Sequence, residues 1–222
     1  MPVPNSYRFL IANEYNLTAA DNTEITAGKS KKIKWDKGYP GFKLNIRRHL
    51  KHEQKNRCAF CRIRVSVGTA YSNLEHLVGK TDYPQFEFLS KNLAYCCQKC
   101  NFSKVAKQTL ATPNAIKSSQ IYPIVSNGFT IVNPYHDLYE NHFDFIDQII
   151  ITVINNSSKG LNTIEAYKLS RVELAEERAY EHQVDMSTLN KQLISRLLDP
   201  SITQDTITQI NNIIADLPNW EV

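Results

Sequence analysis

A chain of 222 residues with 42% hydrophobic and 22% charged residues is long enough for one domain with a full core, or for a small core with a helical extension. No apolar run approaches the ~20 residues that a bilayer-crossing helix needs, and the first residues hold no cationic segment followed by an apolar one, so neither a membrane span nor a signal peptide is expected. Net charge is only +4, yet residues 29–64 carry 13 Lys/Arg against two acids while the remainder carries 13 against 20, which puts a block suited to a polyanion in the first third of the chain.

Residues 1–28 are polar and mixed, and 29–41 read as a basic loop punctuated by Gly38 and Gly41. Residues 1–41 are thus an N-terminal basic segment. Trp35, set among lysines, is either a platform for a nucleic-acid base or a core anchor. Residues 42–56 predict a helix, because Phe42, Ile46 and Leu50 recur at helical spacing. Arg47, Arg48 and Lys51 lie on its other sides, where they either hold phosphates or keep the face soluble. Residues 62–67 and 70–77 read as two strands about a Gly68-Thr69 turn. A loop over 78–91 follows, and Asn92 to Tyr95 returns to the hairpin. A helix is expected from about Gln98 to Leu110, ending before Pro113. This core spans 42–115. Segments 121–125, 128–132, 142–146 and 149–154 are β-like and form a small antiparallel extension over 116–160. Residues 161–222 are helical, with helices over 163–184, 187–198 and 201–215 and a variant capping box of Asn162 and Glu165. The expected fold class is α+β. His136 and His142 are six apart, not the spacing of a helical metal pair, and read as structural or surface residues.

The most informative stretch joins two Cys-x-x-Cys pairs, Cys58 with Cys61 and Cys97 with Cys100. Four thiolates are the ligand set of a closed, tetrahedral structural zinc site. Cys96 adjoins Cys97, but the two-residue spacing to Cys100 selects Cys97 and leaves Cys96 as a small buried apolar residue. Metal-type spacing of four out of five cysteines points to a reducing cytoplasm rather than a disulfide framework. The pairs are separated by about twice the ~15–20 residues of a plain zinc ribbon, so a folded insert lies between them. That insert holds Glu75-His76 and Asn92-Leu93, and Asn101 and Lys104 follow the last cysteine.

Over residues 55–108 this order resembles the HNH endonucleases, whose core is a β-hairpin and a helix clasping a metal. The resemblance implies phosphodiester hydrolysis. His76 is then the general base, since an imidazole can take a proton from water near neutrality. Asn92 belongs to the catalytic set in an orienting role. Asn101 and Glu75 are ligands of Mg²⁺ or Mn²⁺, whose hardness suits amide and carboxylate oxygens. Glu75 is longer than an Asp, so it either binds the metal or supports it from behind. Neighbours on a strand face opposite ways. Glu75 and His76 therefore need a local bend to share one site, or one of them points away. Gly79 stands where the family often has Pro. Lys104 matches the family's trailing lysine, set against phosphate or against the zinc region. The expected nucleic-acid contacts are Lys31, Lys32, Arg47, Arg48, Lys51 and Lys104.

Asn133-Pro134-Tyr135, His142-Phe143, Thr163-Ile164, Leu169 to Arg171 and Glu177-Arg178 extend the likeness to the PtuB-like HNH nucleases of Septu and retron-linked antiphage systems. That resemblance implies an effector, acting on DNA by preference, held inactive until a PtuA-like ATPase partner and an invasion signal release it. Two other readings stand beside it. One is a zinc-dependent nucleic-acid-binding module without catalysis, which leaves Glu75, His76 and Asn101 unexplained. The other is a toxin cutting RNA such as tRNA, because the fold does not fix the polymer.

Overall fold

The computed structural model describes residues 3–65, 72–104 and 107–182, together with scattered positions between 191 and 211. The architecture is mixed, with helices and two small antiparallel sheets. The first helix, α1 (Ala19–Ser30), falls where the sequence has no clear period, and it buries only Asp21, Ile25 and Gly28. Its cap accounts for it. The Thr18 side chain accepts from the Asp21 N–H while the Asp21 carboxylate accepts from the Thr18 N–H. The helix lies mostly in the stretch read as polar and mixed and takes in the first two residues of the 29–41 loop.

Helix α2 (Pro40–Glu53) buries Phe42, Ile46 and Leu50 on one stripe. Its N-cap, Tyr39, is left-handed and supplies no side-chain cap. Glu24 of α1 fills that role, accepting from Gly41 N at 3.2 Å and Phe42 N at 2.7 Å. Tyr39 lies across Gly28, where an added Cβ would come within 2.3 Å of its ring. The two helices thus share one joint, and the basic residues of α2 are presented from a fixed base.

Strand β1 (Ser72–His76) pairs antiparallel with β2 (Leu93–Cys97), matching Leu74 to Tyr95 and His76 to Leu93. The expected return of 92–95 is this pairing, whereas the expected pairing of 62–67 with 70–77 does not form among the described residues. Among the described residues, 57 and 64 share only an isolated bridge, and the turn at Gly68-Thr69 lies outside them. β2 runs straight into α3 (Gln98–Lys104). The next described residues, 107–109, are not helical, so the helix expected to reach Leu110 is shorter. Pro113, expected as a stop, instead opens α4 (Pro113–Ser119) at its first position, where its missing N–H costs nothing.

Strands β3 (Phe143–Ile146) and β4 (Ile150–Val153) form the second sheet. Asp147 and Gln148 between them have φ of 50° and 65°, the left-handed pair that a tight hairpin turn requires. No strand forms over 121–125, where Pro123 removes a donor, and 128–132 contributes only a bridge from Phe129 to Leu110. The single helix expected over 163–184 is two, α5 (Ser158–Tyr167) and α6 (Val172–Glu181), divided at left-handed Lys168. The cap of α5 is Ser157, which accepts from Gly160 N at 3.1 Å. Asn162 instead donates to the Thr130 carbonyl. The helices expected over 187–198 and 201–215 fall mostly outside the described residues. One apolar core joins α2, the cysteine pairs, both sheets and α5, with Phe60 stacked on Tyr167 at 3.6 Å.

Asp21 is the polar hinge of the N-terminal half. It accepts from Tyr15 Oη at 2.5 Å, Thr18 N at 2.8 Å and Asn45 Nδ2 at 3.0 Å. Burial opposes its charge, but these bonds outweigh burial and hold its pKa at about 2. Its stabilising contribution is complete above the ordinary carboxylate range and is lost as pH falls through about 2. Asp21→Ala should lower stability by about 1–3 kcal/mol in denaturant titrations, and that deficit should shrink as acid is added.

Candidate metal centre and active-site cleft

Arg62, with φ of 64°, ends the turn that brings Cys58 and Cys61 together, and its N–H donates to the Cys58 carbonyl. The second pair is set by the passage from β2 into α3. Cys97 is the last strand residue and Cys100 lies in the first turn of the helix. The four sulfur atoms lie within 4.8 Å of one another, and Cys61 Sγ is 3.8 Å from Cys97 Sγ. A zinc–sulfur tetrahedron with arms of ~2.3 Å has edges of about 3.8 Å. The donor set and spacing fit a metal such as zinc. Cys96 lies outside the cluster, because adjacent strand residues face opposite ways. It is fully buried beside apolar neighbours. Gln54, at the end of α2, ties this region together. It donates to the Arg57 and Tyr95 carbonyls and accepts from Tyr95 N, at 3.0, 2.7 and 2.9 Å.

β1, α2 and α3 contribute to the wall of an open cleft of about 690 Å³. Glu75, His76 and Asn101 all line it, with Lys43, Arg47, Lys80 and Lys104 as cations and Asp36 and Asp82 as further acids. β1 ends at His76, and both neighbours line the one cavity. Glu75 is buried and paired to Lys104 at 2.6 Å. Burial pushes its carboxyl above the usual range, with Lys104 pulling it down. Lys104 Nζ also donates to the His76 carbonyl. Asn101 makes no side-chain hydrogen bond among the described residues.

The His76 ring is buried and packs edge-on against Trp35, with centroids 4.5 Å apart. Its Nε2 lies 3.0 Å from the Glu87 carbonyl. A carbonyl only accepts, so Nε2 carries the proton and Nδ1 keeps its lone pair. Burial holds the pKa near 3, with Lys80, Lys104 and Lys43 adding to that effect. Asn92, fully buried, does not face the cleft. It accepts from Val78 N at 2.7 Å and donates to the Val78 and Phe86 carbonyls at 3.0 Å each. It thereby pins the loop that supplies the Glu87 carbonyl.

Of the expected nucleic-acid contacts, Arg47 and Lys104 reach the cleft. Arg47 Nε is buried without a partner. Lys31, Lys32 and Arg48 are exposed and Lys51 is half-buried, all away from the cleft lining. Lys43, Lys80 and the Glu87 carbonyl were missed by the sequence. Their signal is weak, since single lysines in loops are common and a backbone acceptor has no signature. Trp35 is both an anchor and a wall. It contacts Phe42 and Phe88 as well as His76, and the Lys43 ammonium sits 4.8 Å over its ring.

No family model matches the chain. It is similar to the Septu protein PtuB of Bacillus mycoides (strain KBAB4), with 30% identity over 185 residues, covering 74% of this chain and 62% of the relative. It is also similar to the Septu protein PtuB of Bacillus thuringiensis, with 25% identity over 170 residues, covering 77% of this chain and 54% of the relative. The chain thus spans under two thirds of the length of each relative. Among the described residues no helix is long and apolar enough to cross a membrane.

Two measurements check this geometry. Metal analysis of purified protein should give about one zinc per chain, lost in Cys97→Ala and kept in Cys96→Ala. A histidine NMR titration without added divalent cation should show the His76 ring neutral to about pH 4, because its pKa lies near 3. A midpoint near the ordinary imidazole value would contradict the buried ring.

Proposed function

We propose that this chain is a metal-dependent HNH-type endonuclease that hydrolyses phosphodiester bonds of nucleic acid, with DNA favoured as substrate. The observation that carries the reading is the meeting of Glu75, His76 and Asn101 in one cleft with four cations on its walls. A zinc ion held by Cys58, Cys61, Cys97 and Cys100 is structural here, since four thiolates leave no open position. A catalytic Mg²⁺ or Mn²⁺ would be held by Asn101 and by the oxygen of Glu75 that Lys104 leaves open, with remaining positions for water and phosphate. When bound, that cation supplies charge stabilisation to the phosphate and the departing oxygen.

The chain's own residues do the rest. His76 is the base. Glu87 holds its Nε2 proton, so Nδ1 is free to take a proton from the attacking water. Burial keeps the ring unprotonated at neutral pH, at the cost of a weaker base than an ordinary imidazole. Trp35 walls one side of the imidazole, and Asn92 fixes the loop carrying its acceptor. Lys43, Arg47 and Lys80 meet the phosphate backbone, and the exposed Lys31, Lys32 and Arg48 with the half-buried Lys51 extend that field beyond the cleft.

The likeness to the Septu protein PtuB supports placing the nuclease in a Septu-type antiphage system in the cytoplasm, with a PtuA-like ATPase as partner. A binding module without catalysis accounts for the cysteines and lysines, but not for a neutral, oriented imidazole beside hard-oxygen ligands.

The test is cleavage of plasmid DNA and of total RNA with Mg²⁺ or Mn²⁺, alone and with the partner ATPase. His76→Ala and Asn101→Ala should each lower cutting by about 10²-fold or more while zinc stays bound. Cutting of RNA alone would favour the toxin reading. No cutting in any mixture, with nucleic acid still bound, would favour the binding module.

A further inference from the structure

Around the cysteine pairs lie arginines whose charges the protein does not otherwise balance. Arg57 has a carboxylate, Glu181, at 2.5 Å. Among the described residues, Arg62, Arg171 and Arg178 have no carboxylate within ion-pair distance. Arg62 directly follows Cys61 and is 0% exposed, its guanidinium 3.6 Å from the Phe9 ring centre and 4.2 Å from that of Tyr139. None of its three guanidinium nitrogens has a hydrogen-bond partner. Arg178, 1% exposed, donates from Nη2 to the Cys61 carbonyl at 3.2 Å and from Nη1 to the Ile149 carbonyl at 3.0 Å. Arg171, the N-cap of α6, points Nη2 at Cys100 Sγ from 3.9 Å.

A buried guanidinium without a counter-anion is strongly unfavourable. Two such buried groups, Arg62 and Arg178, and the half-buried Arg171 lie about a cluster that becomes negative when occupied. Four thiolates around one divalent ion carry a net charge of minus two, which buried thiols or an empty site would not. The placement along α6 adds a second constraint. Arg171 at its start reaches the second cysteine pair, and Arg178 two turns later reaches the backbone of the first. One helix therefore touches both halves of the centre.

We infer that Arg62, Arg171 and Arg178 are the counter-cations of a dianionic zinc–tetrathiolate centre, and that α6 with its N-cap is a brace on which retention of the metal depends. The inference rests on zinc in the four-cysteine site and is independent of the nuclease reading. It makes the region after α5 a control point, because anything that draws α6 away removes two cations and one clamp from each half of the site.

The test uses the whole chain. Zinc is exchanged for Co²⁺ and the thiolate-to-cobalt charge-transfer bands are recorded, and zinc release to a chromogenic chelator is timed separately. Arg171→Gln takes an N–H donor and its charge from Cys100, raises the energy of the sulfur lone pair and should shift the charge-transfer band to the red. Zinc release should quicken by about tenfold or more, in line with the effect of outer partners at metal sites. Arg171→Lys, which keeps the charge, should fall between, and Glu173→Gln on the exposed side of α6 should match the wild type. Arg178→Gln should also speed release. Because Arg171 is partly exposed, its variants decide the matter even if the Arg178 variant does not fold. Folded Arg171→Gln with an unmoved band and unchanged release would overturn the inference. So would a wild-type chain without a tetrathiolate cobalt spectrum.

Discussion

The closing of four cysteine sulfurs on one point constrains nearly everything else in this chain. Cys58 and Cys61 follow the end of α2, and Cys97 and Cys100 sit where β2 becomes α3. Bringing these pairs together fixes α2 against the β1–β2 hairpin and sets the direction in which α3 leaves. Asn101 comes one residue after the last cysteine and His76 pairs with Leu93 at the start of β2. Both ends of the cleft are therefore indexed to the same centre. The two-stranded sheet would be marginal alone, but here a metal-ligand set, Gln54 and the shared core bear on it together.

The cleft itself combines cost with use. Glu75 is buried beside Lys104, and His76 is buried against Trp35. Both groups are held in geometries that water alone would not favour. The ion pair keeps a carboxylate oriented at the floor, and the aromatic wall keeps an imidazole neutral with one nitrogen committed. The cations around them outnumber the acids by one.

Sequence patterns made the cysteine centre legible because ligand spacing is a local, covalent constraint. The same holds for α2, whose buried stripe is regular, and for β3 and β4, whose apolar runs are short and bounded. Legibility failed where structure depends on a partner distant in the chain. α1 has little period because its cap and its contact with Tyr39 hold it rather than a broad apolar face. The return of 92–95 to β1 was readable, whereas the pairing expected with 62–67 does not form among the described residues, since an alternating run does not say which strands it will meet. The break at Lys168 is carried by a left-handed backbone that a lysine does not advertise. Within the site, the residue types of His76, Glu75 and Asn101 were readable, whereas the Glu87 carbonyl, the Lys104 pairing and the Trp35 wall appear only once the chain is folded.

The central claim is that a divalent cation and the His76 imidazole share one cleft. The direct measurement is paramagnetic broadening of the histidine ring signals by Mn²⁺ in the zinc-loaded chain. The account predicts that His76 broadens first, while His142, away from the cleft, stays sharp, and that Asn101→Ala weakens the effect. Mn²⁺ that leaves His76 sharp, or broadens all histidines alike, would contradict it.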